Sequence, residues 1–542
     1  MGSEFTAEEG RILEPFVTNL DKPIFALRNM PEVVMGAMFS RYSRTTKSLR
    51  RVLLDEFIND KESGFQDIVG ISGKGGDTAN QLIATRKAEE FYDRVLVGYG
   101  DDSVAELGGA HIACEQVSMI ASKVLEDSRI GLSPLEKSTR YVYFNQKING
   151  EYNYYRGKEL VDAAFGPQYI QACNLLFDTY SDLMGKMGEW VMGKYPKEPE
   201  VSDRAYQSTV RAKVCDILRG LLPASALTNV GIFGNGRAFE YLLLKMYASD
   251  LQEMNGIAGE MQEELNKVIP SFVKRADDKY GKEAQQYLRE TRTAIAGIAG
   301  EKATEEPQNA EEVALVDFDK DAEGKIIAAI LYPQADLPLR QIKEIVAKMG
   351  ADEKKAIFSE YLKRRQNRRH KGGRALENAS YTFDILGNFG QYRDLHRHRQ
   401  LTQERQLIGC KHGYDLPKEL VEAGHEGEFK EAMEKAKAAW ETINKENPQL
   451  AQYVVPLAYK LRWYFTLNLR EVIHLTELRS MRQGHPDYRR VAQKIYSEVR
   501  RVHPQFAEQI RFVDMNEYGL ERLESEKKID RKLDEINKKY GK

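Results

Sequence analysis

Residues 456–479 read PLAYKLRWYFTLNLREVIHLTELR, and residues 223–246 read PASALTNVGIFGNGRAFEYLLLKM. In both stretches a proline precedes an Asn-x-Arg triplet by twelve residues: Pro456 before Asn468-Leu469-Arg470, and Pro223 before Asn235-Gly236-Arg237. Each triplet opens an apolar pattern at helical spacing. The pattern is Val472, Ile473, Leu475 and Leu478 in one, and Phe239, Leu242, Leu243 and Met246 in the other. Upstream of each, an acidic residue (Glu377 or Glu106) leads into a long mixed apolar segment. The two prolines lie 233 residues apart, which is the scale of a duplicated domain, since solenoid periods run about 20–50 residues.

Outward from these stretches, the composition changes most at residues 294–312, AIAGIAGEKATEEPQNAEE, which are small, acidic and without sustained periodicity. They are read as a linker between a first domain, residues 25–293, and a second, residues 313–525. Residues 1–24 form an N-terminal arm, and its Met1-Gly2-Ser3-Glu4-Phe5 is set aside as a cloning scar. Apolar residues recur at helical spacing from Val33 to Phe39 and from Leu160 to Met192. After the linker, Val313–Phe318 and Ile326–Tyr332 are expected to be two strands around the turn at residues 319–324. Residues 526–542 form a charged C-terminal tail, a solvated helix or a frayed end.

The whole chain, 542 residues with 42% hydrophobic content, is long and apolar enough to bury full cores without disulfides or metals. Its 80 basic and 82 acidic residues leave a formal charge of −2, which excludes a polybasic nucleic-acid coat, so nucleic acid is not expected as a partner. The 4 cysteines, Cys114, Cys173, Cys215 and Cys410, show no CxxC pairing. That usage suits a reducing compartment, and no metal is expected. The longest apolar runs fall far short of the roughly 20 residues that span a bilayer. A soluble, cytoplasmic protein is the expectation.

Three segments carry candidate chemistry. Arg397-His398-Arg399 packs cationic or switchable groups side by side; taken alone, it is either a phosphate or carboxylate site or a solvated helix face. Glu136-Lys137-Ser138-Thr139-Arg140-Tyr141 offers a hydroxyl, turn amides and a guanidinium as an anion cradle, or else an N-cap beside a surface charge pair. Along the helix from Asn468, the residues Arg470, His474, Glu477 and Leu478 share one side, and His474 by itself reads equally as a core histidine. A further basic run, Arg364 to Lys371 before Gly372-Gly373-Arg374, reads as a solvated face or a phosphate-binding loop. The chain has no Walker loop, GxGxxG fingerprint or Ser-His-Asp signature, and no cysteine in a nucleophile context.

Together these residues resemble the flavin-dependent thymidylate synthase family (ThyX), as two divergent domains in tandem. That family carries Arg-His-Arg followed by Ser-x-Arg-Tyr, then Pro twelve residues before Asn-x-Arg and a helix ending in Leu-Arg. Here the signature is split. The second half keeps Arg397-His398-Arg399, Asn468, Arg470, His474 and Arg479, but has Gln406-Leu407-Ile408-Gly409 in place of Ser-x-Arg-Tyr and Gln452 in place of the arginine before the proline. The first half keeps Glu136, Ser138, Arg140, Tyr141 and Arg219, but has Glu126-Asp127-Ser128-Arg129 in place of Arg-His-Arg and Met246 in place of the helix arginine. In the family each site lies between subunits, one giving each of these two sets. The resemblance therefore implies one complete composite site per chain and one dead pseudo-site.

The resemblance further implies an α+β fold of two similar domains, each a sheet flanked by helices, forming a pseudo-dimer. Two chains would reproduce the family tetramer as a homodimer. The implied activity converts dUMP to dTMP with FAD, NADPH and methylenetetrahydrofolate, without an enzyme nucleophile. The substrate-binding set is Glu136, Ser138, Thr139, Arg140, Arg219, Asp394, Arg397 and Arg479, with Arg479 catalytic against the uracil. Glu136, Arg397, His398, Arg399, Asn468, Arg470 and His474 would hold the flavin. Some positions depart from the family: Asp394 and His485 each replace a Gln, Thr139 a small or amide residue, and Gly372 and Arg374 a His and a Thr. The alternatives are a flavoenzyme of this scaffold acting on another pyrimidine nucleotide, and a non-catalytic RNA-binding or scaffold protein using the basic run.

Overall fold

The computed structural model describes residues 4–59, 105–128, 130–308 and 311–541. The chain divides into two compact units that interleave in sequence. The smaller comprises Met1–Val117, Ala121–Glu136 and Asn229–Glu305, and the larger Ser118–Ile120, Lys137–Thr228 and Glu306–Lys542.

In the smaller unit, the strand Leu227–Asn235 lies between Gly109–Ser118 and Leu132–Glu136. It runs antiparallel to the latter, with Leu132 opposite Gly234 and Glu136 opposite Val230. The strand ends at Asn235, whose side chain accepts from Ala238 N and caps the helix Gly236–Tyr247. That helix buries Phe239, Leu242, Leu243 and Met246, the stripe expected from the sequence. The N-terminal segment set aside as a cloning scar is packed from Phe5 onward: Phe5 is buried and the Arg51 guanidinium lies over its ring.

The larger unit is built on an antiparallel sheet with the order Val313–Phe318, Ser380–Asn388, Lys460–Asn468, Leu401–Arg405. Along Lys460–Asn468, the buried Leu461, Trp463, Phe465 and Leu467 alternate with more exposed residues, the period-two pattern of a strand with one face on the core. Asn468 then caps the helix Leu469–Arg479 through Glu471 N, as Asn235 does in the other repeat. The order of the three shared strands is also the same in both sheets, with the strand leading into Asn-x-Arg between the other two. The fold is α+β, and its two halves are built to one plan.

Segments of both halves meet inside the larger unit. Pro223 and Pro456 form a bridge, with Ala224 N donating to Val455 O at 2.8 Å and Leu457 N to Leu222 O at 2.9 Å. The long helices Gly166–Lys194 and Glu426–Glu446 pack against each other beside it. The two prolines that mark the sequence repeat thus face one another.

Two local expectations are corrected. Ile326–Tyr332 is not a strand: Ala322–Leu331 is a helix burying Ile326, Ile327 and Ala328, and Val313–Phe318 pairs with Ser380–Asn388 instead. A six-residue apolar run fits a strand or a buried helical turn equally, and here the alanines favour the helix. Residues 294–302 are likewise not irregular, because the helix Lys279–Lys302 runs through them on alanine-rich sequence. Residues 309 and 310 lie outside the described residues, as does Arg129 of the Glu126–Arg129 segment. The C-terminal segment is helical over Leu523–Tyr540 and largely exposed.

Candidate functional site

All the expected site residues except Glu136 belong to the larger unit. Arg397-His398-Arg399 follows the short helix Phe389–Leu395, whose N-terminus Asn388 and Gln391 close as a capping box. Arg219 sits in the 3₁₀ turn Arg219–Leu221 just before the Pro223 bridge, and Arg479 is the last residue of the helix Leu469–Arg479. The same Pro–Pro bridge that joins the repeats therefore brings arginines of both halves to one place.

Asp394 is the centre of the cluster. Arg219 Nη1 donates to its Oδ2 at 2.8 Å, and Arg397 Nη2 lies 3.6 Å from Oδ1. Burial alone would raise the Asp394 pKa, but Arg219, Arg397 and Arg140 overcome it and hold the carboxyl well below the usual range. The acid that replaces the family's Gln is thus held as a carboxylate and compensated by its neighbours. Arg219 is only 4% exposed, and its Nη2 has no hydrogen-bond partner among the described residues. Arg219 also lines a cavity of about 560 Å³ with Asp216, Asn388, Asp415, His485 and Asp487.

Arg140 is bound more firmly than the sequence suggested. Its Nε and Nη2 donate to the two oxygens of Asp216 at 2.7 and 2.6 Å, and its Nη1 donates to Gln483 O and Tyr488 Oη. The guanidinium of Arg479 stands 5.7 Å from the centre of the same Tyr488 ring, as does that of Arg140. Ser138 Oγ accepts from Arg140 N at 3.2 Å, and Thr139 is buried. Glu136, in the smaller unit, accepts from Lys123 at 2.9 Å; Lys123 also pairs with Glu126, so this carboxylate is engaged within its own repeat.

Of the residues expected to hold a flavin, Asn468, Arg470 and His474 line a second cavity, of about 390 Å³, together with Arg365, Lys371 and Arg374; Glu136, Arg397, His398 and Arg399 are not among its lining residues. Arg470 donates to Glu377 at 2.6 Å and to Gly372 O at 2.9 Å. His398 is buried, with Nδ1 2.6 Å from Glu471 and Nε2 accepting from Arg479 Nε at 2.9 Å. Burial, then Arg479, Arg397 and Lys371, keep its pKa well below the ordinary histidine value, so its ring is neutral. Burial likewise pushes His474 down to about 4. Arg399 is exposed.

His398, Glu471 and His474 place their ligand atoms within 4.8 Å of one another, close enough in principle for a metal. Cationic donors occupy that space instead: Lys371 Nζ is 2.5 Å from His474 Nδ1, and Arg479 holds His398 Nε2. The four cysteines are free and buried, and burial pushes Cys173 and Cys215 up to about 12, as for inert structural thiols.

Four contributors were not found from sequence: Asp216, Lys371, Glu471 and Tyr488. Glu471 was in plain view between Arg470 and His474, and Lys371 lay in the basic run. Asp216 and Tyr488 have no local signal, because their roles depend on partners 76 and 348 positions away. The basic run itself is partly structural, since Arg365 forms a buried bidentate pair with Glu477. Met246 and Gln452, which stand in place of family arginines in the implied pseudo-site, are buried, and Gln452 accepts from Ile408 N. Changing either would disturb packing.

The family described as thymidylate synthase complementing protein matches residues 54–271 and again residues 314–505. The chain belongs to this family. Its two matched segments make it a tandem pair of family domains, the ThyX resemblance read from the motifs. A UPF0159 protein of Chlamydia muridarum is 46% identical, over 96% of this chain and 98% of its own length. One of Thermoplasma acidophilum is 33% identical, over 91% of this chain and 97% of its own length. Among solved structures, the chain is similar to the UMP/dUMP methylase PolB of Streptomyces cacaoi bound with 5-Br dUMP. That likeness has 16% identity and a TM-score of 0.30, and it covers 37% of this chain and 94% of that one. No helix among the described residues is long and apolar enough to cross a membrane.

Proposed function

We propose that this family member is a flavin-dependent thymidylate synthase-like methyltransferase that converts dUMP to dTMP at one composite site per chain. The observation that carries the reading is the convergence of Arg140 and Arg219, from the first half, with Arg397 and Arg479, from the second, around Asp394 and Tyr488. Arg140 pairs with Asp216, Arg219 and Arg397 share the single carboxylate of Asp394, and Arg479 stands against the Tyr488 ring instead of a carboxylate. A phosphate monoester carries about −1.5 to −2 at neutral pH and suits guanidiniums that outnumber their immediate counter-charges. Arg219, with its unengaged Nη2, and Arg397 would hold the phosphate, with Ser138 beside them. Arg479 would lie against the uracil and stabilise the negative charge that develops as C5 becomes nucleophilic.

FAD suits the second cavity by its donor set: Arg365, Arg368, Lys371, Arg374 and Arg470 outnumber Glu377, Glu471 and Glu477 around it, as an anionic diphosphate requires. Asn468, Arg470 and His474 would line the flavin, with His398, whose ring lies 5.5 Å from that of His474, and Arg399 beside them. When bound, a flavin supplies the route by which an electron pair from NADPH reduces the transferred methylene of methylenetetrahydrofolate to a methyl group. The protein's own part is to orient the ring, neutralise charge and keep the two ligands in register.

The domain division at residues 25–293 and 313–525 and a cytoplasmic homodimer belong to the same proposal. Light scattering at micromolar concentration should give twice the chain mass; a flavin-loaded monomer contradicts this. Saturated protein should carry one flavin per chain, read from absorbance against protein concentration. Each charge-assisted contact absent from the degenerate half is worth about 1.5–3 kcal/mol, enough to leave it empty. Two tightly held flavins per chain would defeat the composite-site reading. Anaerobic incubation of reduced protein with dUMP and methylenetetrahydrofolate, followed by mass spectrometry, tests the reaction itself.

A further inference from the structure

We propose that Glu471 is a positioning residue that fixes the orientation of Arg479 through His398. The task given to Arg479 rests on the pyrimidine-methylation reading; the chain of hydrogen bonds does not. A guanidinium only donates, so the 2.9 Å contact from Arg479 Nε makes His398 Nε2 an acceptor without a proton. In a neutral imidazole the proton must then be on Nδ1, and Nδ1 lies 2.6 Å from Glu471 Oε1. The order is therefore Glu471 carboxylate, His398 Nδ1–H, His398 Nε2, Arg479 Nε–H.

The surroundings make this order stiff. The side chains of His398 and Glu471 are 3% and 7% exposed, so water does not compete for either contact. Glu471 belongs to the first turn of the helix that ends at Arg479, and its N–H is held by Asn468. Both ends of the chain of contacts are thus anchored to one rigid element, and His398 closes the loop across them. The charged and titratable groups facing His398 are Glu471, His474 and Arg479 from that helix, Lys371 from the preceding loop, and Arg397 beside it. The three cations oppose an imidazolium, while the Glu471 carboxylate selects the tautomer that leaves Nε2 free for Arg479. With the other tautomer two N–H groups would face each other, and Arg479 would lose its anchor.

The test is magnetic resonance on protein labelled with ¹⁵N at histidine and arginine, without substrate, at pH 7.5. His398, assigned with His398→Leu, is expected to carry its proton on Nδ1. The Arg479 Nε–H signal, assigned with Arg479→Lys, is expected to exchange slowly. Glu471→Leu should speed that exchange at least about tenfold, whereas Glu471→Gln, whose amide oxygen still accepts from Nδ1–H, should stay within about threefold. Turnover should follow the same order: Glu471→Leu lowers kcat about 10–100-fold with the KM for dUMP within about threefold, and Glu471→Gln restores most of it. If Glu471→Leu does not fold, the wild-type tautomer and fast Arg479 exchange in His398→Leu decide the matter. A proton on His398 Nε2, or an unchanged Arg479 signal in Glu471→Leu, overturns the proposal. The expected signals in a protein that leaves dUMP unchanged would uphold the Glu471 chain and strike down the pyrimidine reading alone.

Discussion

Arg479→Ala is expected to lower dUMP turnover by about 10²–10³-fold while changing dUMP binding by less than about threefold. The guanidinium is half-buried, is held by His398 Nε2 and stands over Tyr488 beside Arg140, so it is fixed before any ligand arrives. A fixed positive charge against the ring contributes most when the ring becomes anionic, and little while it is neutral. Its loss therefore falls on the chemical step. The phosphate contacts assigned to Arg219 and Arg397 remain, which keeps binding nearly constant. Single-turnover kinetics with reduced protein separates the two effects. A variant with normal turnover, or one whose defect lies wholly in KM, would remove Arg479 from the catalytic role. Folding should be little affected, because this side chain makes no ion pair among the described residues and is held by a neutral histidine and an aromatic ring.

What the sequence disclosed and what it withheld follow one physical division. Caps, turns and periodicities are local. Asn468 and Asn235 were readable as helix openings, and both cap through their side chains. The two prolines were readable as a repeat because the spacing is linear, although that they touch is a fact of three dimensions. Ile326–Leu331 failed because a short run of small apolar residues satisfies both periods, and only the pairing of Val313–Phe318 with Ser380–Asn388 excludes the strand. The site arginines were found by motif, but their counter-charges were not. Asp216 precedes Arg219 by three residues without any pattern linking it to Arg140, and nothing in the sequence around Asp394 shows that Arg219 faces it. A carboxylate's meaning depends on what faces it, and that is settled by tertiary register.

Arg140→Ala shows how that changes an expectation. From sequence, the substitution removes a phosphate contact and weakens nucleotide binding by roughly 2–4 kcal/mol with flavin content nearly unchanged. In the structure, the guanidinium and the Asp216 carboxylate are both buried, at 7% exposure each, and their contact is bidentate. Removing one partner leaves an uncompensated buried charge, and that typically destabilises by about 3–5 kcal/mol. The effect has a definite dependence on pH. In the wild type, burial raises the Asp216 pKa, but Arg140, with His485 and Arg219, lowers it overall. Its stabilisation is thus present above the unfolded carboxylate value of about 3.9 and is lost as pH falls through the lower folded value. With Arg140 gone, burial has less opposition and the folded pKa moves upward. The variant should therefore be most destabilised near pH 8 and less so near pH 5, where the carboxyl takes up a proton more readily. Urea unfolding of both proteins at the two pH values checks this. Adding Asp216→Asn to Arg140→Ala should recover part of the loss at pH 8 and flatten the pH dependence, since no carboxylate remains to be neutralised. A loss below about 0.5 kcal/mol that is equal at both pH values would mean that Arg140 is a solvated charge after all. Nucleotide titration of the rescued double variant then reads the binding role alone: dUMP affinity equal to wild type would show that Arg140 supports the fold and that the phosphate rests on Arg219 and Arg397.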